Sequence, residues 1–286
     1  MLSLRETMLC ALAAAALAVA GCTGRGLSTD PSLVRFTSSA KDFETRATDA
    51  TLSDDDVVGI FAGDPIAVGN VRAVVSGKSI FPDRDMYWAE GQKIATRFSA
   101  YCPFVADVPG ETFQFSVADD QRDYAGYAAS DLRTASVTVA PEHIVNFIFE
   151  HRLSKIVLDI DPDGRTVSDV SLKSVLCSGT VNMVTGAVSD LTGRGDVHAG
   201  LAAASAGARV YVAVFMPQTE QLGLVVTADG KRFNFLLEQP QEFLPGCAYY
   251  ASLKLEEATP EEPSVGFSVS ITDWESGEPL EFSREQ

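Results

Sequence analysis

Basic residues are scarce: 22 Lys and Arg stand against 39 Asp and Glu, leaving a formal net charge of -17. Such a field repels phosphate, and no local stripe of Lys or Arg interrupts it, which argues against a nucleic-acid partner. Cysteine is rare too, five in 286 residues, with no C-x-x-C pair, so the spacing of a structural zinc site or a redox dithiol is missing. The three histidines are His143, His151 and His198; none stands in H-E-x-x-H, and no serine stands in G-x-S-x-G. The local signatures of zinc proteases and serine hydrolases are therefore absent, although a triad assembled from distant positions would leave none. No enzymatic activity, metal or other cofactor is expected. What remains is ordinary globular usage, 21% charged and 9% aromatic, in a chain long enough for two domains.

Long apolar runs number one, Met8 to Ala20. It is short for a bilayer span and suits the apolar region of a signal peptide. The run ends in Val19-Ala20-Gly21-Cys22, which resembles the lipobox of bacterial lipoproteins, where the cysteine is acylated and becomes the mature N-terminus. On that resemblance residues 1–21 are a lipoprotein signal peptide and Cys22 carries the lipid. An ordinary secretory signal with a chance cysteine is the competing reading. Glu6 offsets the charge of Arg5, and Met8 is a second candidate start. The small polar residues from Thr23 to Asp30 suit a flexible tether.

Beyond the tether the pattern has period two. Phe98/Ala100/Cys102/Phe104, Val145/Phe147/Phe149, Ile156/Leu158/Ile160, Val210/Val212/Val214 and Phe233/Phe235/Leu237 each put apolar side chains on one face of an extended strand. Asp229-Gly230, Pro162-Asp163-Gly164, Pro109-Gly110 and Pro245-Gly246 punctuate them as turns. Many short strands with almost no helical spacing predict an all-β chain built of β-sandwiches, with a break near Ala140-Pro141-Glu142. Ser189 to Gly207, rich in Gly and Ala, reads as a long surface loop. Cys102 and Cys247 fall on apolar strand faces, and a bridge between Cys177 and Cys247 is left open by spacing alone.

Four constellations invite chemistry. Asp159, Asp161, Asp163 and Gly164 match the opening of a calcium loop, but the position for a bidentate Glu is Val170, so a plain hairpin turn is favoured. Asp54-Asp55-Asp56 cannot converge, because neighbours on a strand alternate sides. His151 continues the Phe147/Phe149 face and reads as a partly buried, satisfied histidine. Arg194-Gly195-Asp196, a tripeptide that some host integrins read, falls in the expected loop and is favoured as coincidence.

Several phrases in order resemble the fimbrillin-like proteins, lipoprotein precursors of the subunits of type V pili. They are Thr45-Arg46-Ala47-Thr48-Asp49, Asp56-Val57-Val58-Gly59-Ile60-Phe61, Met86-Tyr87-Trp88-Ala89-Glu90-Gly91 and Phe98-Ser99-Ala100-Tyr101-Cys102-Pro103-Phe104. Ser130-Asp131-Leu132-Arg133-Thr134-Ala135, Phe147 through Lys155, Pro245-Gly246-Cys247-Ala248-Tyr249-Tyr250 and Ile271-Thr272-Asp273-Trp274 follow.

The resemblance implies two transthyretin-like β-sandwiches in tandem, residues 47–142 and 143–286, behind a tether and propeptide strand at 22–46. It implies a non-enzymatic subunit of a fimbrium, anchored by lipid in the outer membrane and displayed at the cell surface. An arginine-specific surface protease would cut between Arg46 and Ala47, removing the strand that carries Leu33 and Phe36. Other pilus subunits would then be partners by strand exchange, with Leu280 and Phe282 as donor anchors. Two anchors make a short donor, so tip, accessory and anchor roles stand beside that of stalk subunit. The alternative is a surface lipoprotein that binds glycan or a host protein through Tyr87, Trp88 or Trp274 without polymerising.

Overall fold

The structure, a computed structural model, describes residues 30–39, 52–204, 207–257 and 265–274. The chain begins with β1 (Phe36–Ser38), β2 (Val57–Ala62), β3 (Val68–Ser76), β4 (Ser79–Pro82) and β5 (Thr96–Cys102). β6 (Thr112–Ser116), helix α1 (Tyr124–Ser130), β7 (Arg133–Val139), β8 (Val145–Phe147) and β9 (Glu150–His151) follow. All of these strands except β6 form one eight-stranded sheet in the order β8-β1-β4-β3-β2-β5-β7-β9.

That sheet is not flat. β1 and β5 are four strand steps apart, roughly 19 Å in a plane at about 4.8 Å per step. Yet the rings of Phe36 and Phe98 lie 5.6 Å apart in an edge-to-face contact. The sheet therefore curls over itself and encloses a core that includes Val34, Phe36, Ile60, Trp88, Phe98 and Phe147. Alternation supplies this face: on β3, Val71, Ala73 and Val75 are buried while Arg72 between them is exposed.

The rest of the chain supplies β10 (Ser154–Asp161), β11 (Val167–Asn182), β12 (Val188–His198), β13 (Gly200–Ala204), β14 (Arg209–Phe215) and β15 (Gln218–Glu220). It continues with β16 (Gly223–Ala228), β17 (Lys231–Leu237), β18 (Gln241–Phe243), β19 (Cys247–Lys254), β20 (Val265–Phe267) and β21 (Ser270–Asp273). A five-stranded sheet, β13-β14-β10-β19-β21, and a six-stranded one, β12-β11-β16-β17-β20 with β6 added to β11, share a second core. Ile156, Leu158 and Val212 enter it from one sheet, and Leu172, Leu224 and Phe235 from the other. β16 and β17 are joined by Asp229-Gly230, with φ of 49° and 72°, the double positive φ that a two-residue hairpin turn needs.

The strands and thiols bear on three of the sequence readings. β6 lies before the break read at residues 140–142, but it pairs with Ser178–Asn182 of β11, and Val108, Phe113, Phe115, Tyr127 and Leu132 join the second core. The stretch from Ser189 to Gly207 is not a loop but mostly β12 and β13. Its strands lie at sheet edges, and on β12 only Val197 is buried, so no period-two signal marks them. Last, Cys102, Cys177 and Cys247 are thiols, and no disulfide joins Cys177 to Cys247. Cys102 is buried as expected, whereas Cys247 is only half-buried at the start of its strand.

Candidate functional site

Residues 32–39 occupy a slot in the curled sheet, and both flanks of the segment are paired. On one side the Val34 N–H donates to the Met86 carbonyl and the Trp88 N–H to the Ser32 carbonyl, at 2.9 and 2.8 Å, and Ser38 N–H reaches the Lys78 carbonyl at 2.8 Å. On the other, Val145 N–H donates to the Arg35 carbonyl at 2.9 Å and Ser39 N–H to the Phe147 carbonyl at 3.1 Å. β1 thus runs antiparallel to β4 and parallel to β8, an internal strand although it is only three residues long.

Side chains follow the pleat. Val34 and Phe36, each 3% exposed, point into the first core, while Arg35 between them is exposed. The Phe36 ring also stacks on Phe147, centroids 6.0 Å apart and planes 3° from parallel, and Trp88 meets Phe98 edge-on at 5.6 Å. On the outer face the Thr37 hydroxyl donates to Asn146 Oδ1 at 3.0 Å, and Asn146 Nδ2 donates to the Ser39 hydroxyl at 2.8 Å. Of the anchors named from sequence, Phe36 is buried and Leu33 is half-buried opposite Tyr87. Val34 is the deeper partner of Phe36. Its alternation with Phe36 was a readable signal, whereas nothing in the sequence marked Asn146. Cys22, Arg46, Ala47, Leu280 and Phe282 lie outside the described residues.

A second constellation joins the first sheet to the second core. Asp131 Oδ1 lies 2.6 Å from His151 Nδ1, and its other oxygen lies 3.5 Å from Arg133 Nε. Arg133 also reaches Asp56 at 3.4 Å. Burial works against charge on Asp131, but His151, Arg133 and Lys155 together hold its carboxyl below the usual carboxylate range. His151 is 3% exposed, more deeply buried than its sequence context suggested, and its Nε2 has no hydrogen-bond partner. A closed, internally paired cluster of this kind orders a junction; it presents no reacting group to solvent. Burial also pushes the neighbouring Cys102 thiol up to about 12.

The remaining sequence candidates are used locally. Asp161 accepts the Asp163 N–H at 3.0 Å and Asp163 pairs with Arg165 at 2.6 Å, which makes the Pro162-Asp163-Gly164 stretch a turn held by its own side chains. Among the described residues no group of three or more His, Cys, Asp or Glu is arranged to hold a metal ion. His143 is exposed and meets the Pro141 carbonyl, and His198 pairs with Asp169 at 2.8 Å. Arg194 and Asp196 lie within β12 rather than on a loop, engaged by Glu220 and Ser174 and by Lys173 and Ser174 respectively. Trp88 and Trp274 are 5% and 2% exposed, so neither is a surface stacking platform; Tyr87 is half-exposed.

A family model described as fimbrillin-like matches residues 45–274. A candidate fimbrium subunit of Bacteroides uniformis, Fim1C, is 25% identical over 303 residues, covering 96% of each chain. Among solved structures, a candidate cell adhesion protein from Bacteroides uniformis superposes with a TM-score of 0.65 at 21% identity, over 85% of this chain and 98% of its own. Another from Bacteroides ovatus gives 0.61 at 21% identity, over 89% and 98%. At such identities the structural likeness speaks to the fold.

Proposed function

The chain belongs to the fimbrillin-like family, and from that premise we propose that it is a non-enzymatic structural or accessory subunit of a cell-surface pilus that contributes to adhesion. In this reading it is exported as an outer-membrane lipoprotein on Cys22, cut between Arg46 and Ala47 by an arginine-specific surface protease, and assembled by strand exchange. The two cores are read as tandem transthyretin-like sandwiches, with the stretch 108–132 lending a strand from the first half to the second.

The observation that carries the reading is the slot around residues 32–39. A cut after Arg46 would release this segment from the body of the chain. Its departure would leave unpaired backbone groups on both β4 and β8, beside the pockets of Val34 and Phe36. Burying a side chain of either type is worth about 1.5–3 kcal/mol, so the emptied slot gains by accepting another extended segment with apolar residues at alternate positions. Since donor and acceptor are different surfaces, the contact is head-to-tail and propagates as a filament.

Treatment of the purified chain with an arginine-specific protease, followed by an unheated detergent gel, tests this. A ladder of oligomers that appears only after the cut at Arg46 is expected. Cleaved chains that stay monomeric would instead favour a surface lipoprotein that binds glycan or a host protein without polymerising.

A further inference from the structure

Among the described strands β8 has one ladder partner, β1. Its main chain bonds to Arg35 and Ser39, and the Asn146 side chain reaches Thr37 and Ser39. With β1 absent, burial of Val145 and Phe147 would still press β8 onto the first core, but apolar burial is non-directional and fixes no position along the strand. The Phe147 ring would also lose the Phe36 face on which it stacks. From there the chain runs directly to the second core. Val145, Phe147, Phe149 and His151 are buried while Asn146 and Ile148 between them are exposed, so residues 145–151 form one alternating ribbon, with Phe147 and Phe149 in ring contact at 5.9 Å. At its end the His151 ring is stacked on Trp274, which belongs to the second core. That contact is finely balanced. Asp131 beside His151 Nδ1 and Lys155 over the indole favour it. Against it, His151 Nε2 and Trp274 Nε1 are buried with no hydrogen-bond partner, and an opened stack would let both reach water.

We propose that the seating of β1 controls the Trp274 contact. With β1 in place, residues 145–151 hold the His151 ring against the indole; with β1 gone they lose their ladder and the stack opens. The device is an internal relay from the first sheet to the second core, with the stacked and opened forms of the His151–Trp274 pair as its two states. Freeing β1 would therefore loosen the attachment of β21 as well as empty the slot, since Trp274 follows that strand directly. The relay goes beyond the polymerisation reading and does not depend on it, because it operates in the uncut chain. Coupling of this kind is reciprocal, so disturbing Trp274 must also loosen β1.

Hydrogen–deuterium exchange on the uncut full chain, read by mass spectrometry of its peptides, tests the relay. Phe36→Leu keeps an apolar side chain in the first core and removes the ring that Phe147 stacks on. It should speed exchange at residues 145–151 and also at 270–274 about five- to tenfold, the lower end of coupling between distant sites. β16 and β17, elsewhere in the second core, should exchange as in the parent. Val71→Ala, which opens a void in the first core on β3, controls for simple loss of stability and should leave 270–274 unchanged. In the reverse direction Trp274→Phe should speed exchange at 34–38 by a similar factor. Exchange at 270–274 that stays at the parent's rate in Phe36→Leu, or that rises as much in Val71→Ala, would overturn the relay. So would a Trp274→Phe chain whose residues 34–38 exchange as in the parent. No cleavage or oligomer enters the measurement, so its failure leaves the polymerisation reading standing.

Discussion

The imidazole of His151 lies flat on the indole of Trp274, ring centroids 4.0 Å apart and planes 6° from parallel. The Lys155 ammonium sits on the same indole, 5.2 Å from its centroid. His151 belongs to β9 of the curled sheet and Lys155 to β10 of the second core, while Trp274 follows β21. One aromatic side chain thus ties the end of the last described strand to both bodies of structure, immediately before the segment proposed as donor.

Replacing Trp274 with Ala should therefore cost about 3–5 kcal/mol, the range for losing a large buried aromatic. Trp274→Phe, which keeps a ring against His151, should cost less. Urea midpoints of the uncut chain give both values, and equal stability of the Ala variant and the parent would show that the stack holds nothing.

The Asp131 cluster predicts acid sensitivity. Its carboxyl is held below the range of an unfolded aspartate, so the native state favours the charged form. That contribution is complete above about pH 4 and disappears as the pH falls through the native value. Asp131→Asn should be less stable at neutral pH, where removing one partner of a buried charged group costs about 3–5 kcal/mol. It should also show a shallower loss as the pH falls below about 4. Parallel stability curves for parent and variant across that window would contradict the assignment.

Cys102 should resist alkylation. Burial pushes its thiol up to about 12, and the thiolate is the reactive form. Iodoacetamide at about pH 8, below the ordinary thiol range, should leave Cys102 unmodified in the folded chain and label it once urea unfolds the protein. Mass spectrometry of the peptides reads the result. The same shift means that the thiol's contribution to stability is present below the unfolded value and is lost as pH rises through the native one.

Two proposed sites outside the described residues can be checked by fractionation and assembly. Cys22→Ser should move the protein from the membrane fraction to the soluble one, because two or more acyl chains are what make anchoring stable. Asp at both Leu280 and Phe282 would put carboxylates into the pockets of Val34 and Phe36, where an unpaired charge is costly to bury. Oligomers should then fail to form from Arg46-cleaved chains that remain folded by circular dichroism; undiminished assembly would mean that the donor lies elsewhere.

Much of the local structure was written in residue order. The alternation Ile156/Leu158/Ile160 became a buried face of β10, and Asp229-Gly230 became the turn that such a pair favours. Period two and positive φ are properties of a residue and its near neighbours, so no partner is needed to read them. Val34 and Phe36 share the same local alternation, whereas the removable strand they belong to was implied by the family resemblance and not by spacing.

Tertiary structure alone decided which edges meet. Nothing local says that β6 pairs with β11 rather than staying with the first sheet, or that Phe36 closes on Phe98 across a curled sheet. The edge strand β12 went unseen because exposed residues on both faces erase alternation, and β13 because its run of Gly and Ala carries little apolar signal. His151 could be read as partly buried from the Phe147/Phe149 face, but Asp131, Arg133 and Lys155 joined it in a buried cluster only because the tertiary structure removes them from water together. Hydrophobic pattern determines which face of a strand turns inward; the long-range pairings that decide what it meets there depend on loop closure and on the complementarity of whole faces, which no window of sequence contains.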